Sequence, residues 1–120
     1  MATIVDPSPG GSITSELIQD PGVWLVRITG DIDVDHVEPL RLALSAAIRT
    51  GSPVVVDCSG IGFADSSFLN TVIVGARSVP IHLAGVPDGL ARLFQVTGTT
   101  SLFPRHPDIP TALRRCAERA

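Results

Sequence analysis

Asp65-Ser66-Ser67 places a carboxylate and two hydroxyls at the head of an apolar helical stretch. At a helix start, a side-chain oxygen accepts one of the open backbone N–H groups, worth about 1 kcal/mol. A serine there can also carry a phosphate, because open N–H groups and the positive end of the helix dipole tolerate an added dianion. The modification adds about −1.5 to −2 charges at pH 7 to the surface the serine shares. Buried against a partner with no matching cation, that charge opposes binding. From the residues alone, helix cap and switch both remain open.

Other chemistry finds little support. Neither serine sits in a GxSxG elbow, and no histidine is visibly paired with them, so a hydrolase site is not expected. His36, His82 and His106 fall on separate predicted elements without ligand spacing, and each is expected to be structural or solvated. Cys58 and Cys116 form no CxxC pair and are expected as buried free thiols rather than a disulfide or a zinc site. Gly60-Ile61-Gly62-Phe63-Ala64 lacks the spacing of a dinucleotide fingerprint or a P-loop. Hence no catalytic residue, metal or cofactor is expected. The formal charge of −3 lacks the basic excess that drives nucleic-acid binding. No apolar run approaches the ~20 residues of a membrane span, and no basic stretch precedes an apolar one at the start. The expected setting is cytoplasmic, with neither nucleic acid nor membrane as partner.

The elements that must position these residues follow from pattern. The 120 residues suit one domain, with 44% apolar residues and few aromatics, so the core must be aliphatic. Residues 1–11, ending in Pro7-Ser8-Pro9-Gly10-Gly11, read as a flexible leader to a single domain over 12–120. Ile13–Gln19 and Val23–Thr29 are strand-like around the turn signal Asp20-Pro21-Gly22. Trp24, Val26 and Ile28 would share one face of the second strand. Val37, Leu40, Leu44, Ala47 and Ile48 recur with helical period, with Asp33 or Asp35 as the cap, Pro39 in the first turn and Gly51 past the end. Asp33 also suits a partner contact.

Val54-Val55-Val56 is an unbroken β-branched run, the mark of a strand covered on both faces. A helix over Ser66–Ala76, a strand over Pro80–Ala84 and a helix over Pro87–Val96 follow, the last with Leu90, Leu93 and Phe94 inward. A short edge strand at Ser101–Phe103 and a closing helix over Ile109–Ala117 complete the chain. The order β-β-α-β-α-β-α-β-α predicts an α/β fold, a mixed and mostly parallel sheet of four or five strands opened by an antiparallel hairpin. On a wheel at about 100° per residue, Leu69, Val72, Ile73 and Ala76 turn inward. Ser67, Asn70, Thr71 and Val74 turn outward, with Ser66 between the two sets. Ser67 is then the exposed hydroxyl, and Val74 beside Thr71 suits the apolar centre of an interface.

Taken together, Gly30-Asp31-Ile32-Asp33, Val54-Val55-Val56-Asp57, Phe63-Ala64-Asp65-Ser66-Ser67 and Leu90-Ala91-Arg92-Leu93-Phe94 with Val96-Thr97-Gly98 resemble a STAS domain. More closely, they resemble the stand-alone anti-sigma factor antagonists of bacteria. The resemblance implies a protein that binds an anti-sigma factor serine kinase and so frees a sigma factor. It implies phosphorylation at Ser67, with Ser66 as second choice, which breaks the complex, and a serine phosphatase that restores it. With the outward residues of the wheel and the Asp33 turn, the expected contact set is Asp33, Asp65, Ser66, Ser67, Phe68, Thr71 and Val74. The family commonly has Gly where this chain has Phe68 and Asn70. Phe68 either shields Ser67 or adds an apolar contact. The alternative is a STAS scaffold or a small-ligand or nucleotide sensor that is never phosphorylated.

Overall fold

The computed structural model describes residues 3–6 and 11–118. These form one six-stranded sheet in the order β1-β2-β3-β4-β5-β6, with four α-helices. The strands are β1 (Thr3–Asp6), β2 (Gly11–Ile18), β3 (Val23–Ile32), β4 (Val54–Ala64), β5 (Ile81–Ala84) and β6 (Arg105–His106). The helices are α1 (Glu38–Thr50), α2 (Ser66–Ala76), α3 (Asp88–Thr97) and α4 (Ile109–Glu118). The β1–β2 and β2–β3 pairs are antiparallel, and β3 to β6 run parallel.

The α/β class, the opening hairpin and the mostly parallel sheet are as expected from the pattern. One strand is additional: Thr3–Asp6, assigned above to a flexible leader, pairs with β2 from Thr3↔Glu16 to Asp6↔Ile13. The rest of that leader up to residue 10, namely residues 1–2 and 7–10, lies outside the described residues.

Period-2 alternation splits the core between the two faces of the sheet. Ile13, Trp24, Val26, Ile28, Val54, Val56, Ile81 and Leu83 face α1, α2 and α3 and join one cluster with Leu40, Leu44, Phe68, Val72 and Phe94. Val23, Leu25, Val55 and Ala84 face the other way and pack with Ala112 and Cys116 of α4. Val54, Val55 and Val56 are fully buried, as the unbroken run requires of a central strand. Three prolines sit just before strands and use only their carbonyls. Trp24 N–H donates to Pro53 O, Val54 N–H to Pro80 O and Leu83 N–H to Pro104 O, each at 2.9 Å. Their missing N–H groups cost these pairings nothing.

Pro104 also corrects one expectation. Ser101–Phe103 is not an edge strand: Thr100–Leu102 is a 3-10 turn, and the strand follows Pro104 at Arg105–His106. Phe103 instead turns inward, its ring 5.9 Å from that of Phe94. Gly51 and Gly98 end α1 and α3 in the left-handed conformation that favours glycine.

Candidate functional site

β4 carries the site residues to their place, and it does so through two irregularities. Arg27 pairs with Asp57 and Thr29 with Gly60, so β4 spends one extra residue there. It spends another between Gly30↔Ile61 and Asp31↔Phe63. Such bulges kink a strand and re-aim its end. Gly60 is required at the first: a Cβ there would lie 2.9 Å from both Ile28 O and Thr29 Cγ2. Asp57 bonds locally, its Oδ1 accepting from Ser59 N–H at 3.1 Å and Ser59 Oγ–H at 2.8 Å. β4 nonetheless continues past it to Ala64 and delivers the chain into α2.

Asp65 is the cap of α2, in extended geometry, with its Oδ1 accepting from Ser67 N–H at 2.8 Å. Asp65 N–H in turn donates to Ile32 O at 3.4 Å, which ties the helix start to the end of β3. Ser66 is exposed and Ser67 half-buried, the reverse of the order expected from the wheel. The cause is Phe68. Its side chain is 0% exposed and packs in the main core, so the inward row is Phe68, Leu69, Val72 and Gly75. The outward row becomes Ser66, Asn70 and Val74, spaced i, i+4, i+8, with Val74 48% exposed. Gly75 lets this helix lie close to its neighbours, since a Cβ there would sit 3.0 Å from Ile81 Cδ1 and 3.2 Å from Leu44 Cδ1. Thr71 is half-buried and donates its hydroxyl to Ser67 O at 2.8 Å. Phe68 therefore neither covers Ser67 from outside nor offers a surface to a partner, and it leaves the contact set.

Asp33 does not cap α1, and neither does Asp35. The cap position is Val37, with no side-chain hydrogen bond, and Pro39 sits in the first turn as expected. Asp33 instead closes its own turn: its Oδ1 accepts from Asp35 N–H at 3.0 Å and lies 2.6 Å from His36 Nδ1. That imidazole holds the Asp33 carboxyl below its ordinary range. His82 and His106, separate in sequence, meet between β5, β6 and α4, with Nδ1 and Nε2 2.9 Å apart. Burial and the nearby Arg115 push the His106 pKa down from its ordinary value. Burial, with Asp57 beside it, pushes the Cys58 thiol up to about 12, which makes it a poor nucleophile. Among the described residues no three metal-ligating side chains converge, and no helix is long and apolar enough to cross a membrane.

Beyond the expected residues, the end of β4 forms a groove with α3 of about 400 Å³, walled by Phe63, Ala64, Pro87, Leu93 and Val96 and lined also by Arg92. Phe63 is 54% and Val96 79% exposed. The signal for it in sequence is faint, two large apolar residues at positions that face solvent on a strand end and on a helix.

A family model described as Mlab, STAS domain, matches residues 17–104, well over half of the chain. Solved structures agree. An anti-sigma-factor antagonist (STAS) domain protein from Planctomyces limnophilus superposes with a TM-score of 0.77 at 21% identity, covering 88% of this chain and 97% of that one. An anti-sigma factor antagonist from Mycobacterium paratuberculosis gives 0.72 at 21%, over 96% and 92%. The Bacillus cell fate determinant SpoIIAA in its phosphorylated form gives 0.67 at 21%, over 86% and 97%. At these identities the likeness to the structures is one of fold, and the family match adds the sequence to it. The chain belongs to the STAS domain family.

Proposed function

We propose that this protein is an anti-sigma factor antagonist. It binds a kinase-type anti-sigma factor, frees a sigma factor, and is released when Ser67 is phosphorylated. A serine phosphatase then returns it to the binding form. The observation that carries this is the helix start itself: two hydroxyls, one exposed and one half-buried, lie on the carboxylate-capped N-terminus of α2, whose outward row continues to exposed Val74. Structural relatives include an antagonist solved in both unphosphorylated and phosphorylated forms.

The proposed switch is electrostatic and needs no refolding. Asp65 already occupies the Ser67 N–H. A phosphate on Ser67 adds its charge next to that carboxylate, and a partner that pairs with Asp65 by hydrogen bonding gains like-charge repulsion on closing. Ser66, more exposed than Ser67, is the competing acceptor.

The test uses the purified ATP-binding anti-sigma factors of the source genome with radiolabelled ATP. Wild type is expected to take up one phosphate. Ser67→Ala abolishes labelling and Ser66→Ala slows it. Labelling of Ser67→Ala at the wild-type rate would show that the acceptor is misassigned. Ser67→Asp is expected to fold normally and lose the partner.

The half-burial of Ser67 favours one other use, a STAS scaffold that is never phosphorylated. Intact-mass measurement of the protein from its own cells across growth phases separates the two. Absence of an added 80 Da (about the mass of one phosphoryl group) in every phase favours the scaffold.

A further inference from the structure

We propose that the groove between the end of β4 and α3 docks an apolar, carboxylate-bearing segment of the anti-sigma factor, an inference that rests on the function proposed above. Its walls are apolar, and its two outermost side chains, Phe63 and Val96, are large and exposed. The cation in it, Arg92, makes no ion pair with any described residue. An uncompensated guanidinium beside apolar walls matches a segment that brings an apolar side chain and a carboxylate together.

Position argues for the same partner. Ala64 lines the groove and is the residue before the cap of α2, so an occupant seated there reaches Ser66 and Ser67. A phosphate on Ser67 then repels the occupant's carboxylate as well as facing Asp65. Docking and release become parts of one electrostatic arrangement.

The experiment titrates the purified anti-sigma factor that binds wild type, by calorimetry, against Val96→Glu, Arg92→Glu and Leu102→Glu. Leu102 is an exposed apolar residue on the 3-10 turn, outside the groove. We expect Val96→Glu and Arg92→Glu each to raise Kd at least tenfold and to raise KM for phosphorylation with kcat kept, and Leu102→Glu to stay within twofold. Val96 is exposed enough that its variant folds, which circular dichroism and Tm verify.

Wild-type Kd in both groove variants, with Ser67→Asp still losing the partner, overturns the groove and leaves the proposed function standing. If no anti-sigma factor of the source genome binds wild type, the function itself fails and the groove assignment with it. Self-association of the chain that Val96→Glu abolishes, with anti-sigma binding unchanged, makes the occupant a second copy and overturns the proposal.

Discussion

The starts of α1 and α2 look alike in sequence and differ in structure. Each follows a β-strand whose last residues run directly into an Asp, Gly30-Asp31-Ile32-Asp33 before α1 and Phe63-Ala64-Asp65 before α2. Only the second carboxylate reaches its helix. Asp65 stands immediately before the first helical residue and bonds the N–H of Ser67. Asp33 is followed by Val34, Asp35, His36 and Val37 before α1 begins, so its carboxylate is spent on Asp35 N–H and His36 instead. A cap must sit at the junction itself, because only the open N–H groups of the first turn are in reach. The comparison also separates two uses of a carboxylate. One fixes the geometry of a helix start that carries hydroxyls, and the other shapes a loop beside it.

Three perturbations sharpen this contrast. The largest effect is expected at Phe68, which anchors the first turn of α2 in the core. Phe68→Ala is expected to cost about 3–5 kcal/mol in denaturant unfolding, and a loss under about 1 kcal/mol would mean that α2 is held elsewhere. Next is the cap. Asp65→Ala is expected to cost about 1 kcal/mol, with Asp65→Asn retaining most of that stability. Asp33→Ala is expected to lower Tm by less than Asp65→Ala, and equal losses would erase the distinction between the two starts.

The smallest effect is in titration. His36 holds the Asp33 carboxyl below its ordinary value of 3.8. A depressed carboxylate contributes stability above its unfolded pKa and loses it as pH falls through the folded one. The Asp33 resonance in an NMR titration is therefore expected to shift at a midpoint below 3.8 and to move back towards it in His36→Ala. An unchanged midpoint in that variant would remove His36 as the cause.

Much of the fold was legible because it rests on local chemistry. The unbroken Val54-Val55-Val56 run, the turn at Asp20-Pro21-Gly22 and the glycines closing α1 and α3 each mean the same thing in sequence and in structure. Illegibility begins where distant residues decide. The face of α2 is set by Phe68, which the main core takes in fully while Ile73 packs against it only partly buried, and this turns Ser66 outward and Ser67 partly inward. The bulges in β4 exist only in its pairing with β3. The His82–His106 contact and the groove at Phe63 and Val96 join segments that periodicity treats separately. The carboxylate and two hydroxyls at the site were thus legible as a set, while their relative exposure was not.

The proposed function turns on release of the partner by a phosphate at the start of α2. The most direct test is the affinity of the purified anti-sigma factor for this protein before and after stoichiometric phosphorylation by its kinase activity, with the modified residue mapped by mass spectrometry. Phosphate on Ser67 and at least a hundredfold weaker binding, equivalent to about 2.7 kcal/mol, are expected. Phosphorylation on Ser67 that leaves Kd unchanged would contradict the proposed release.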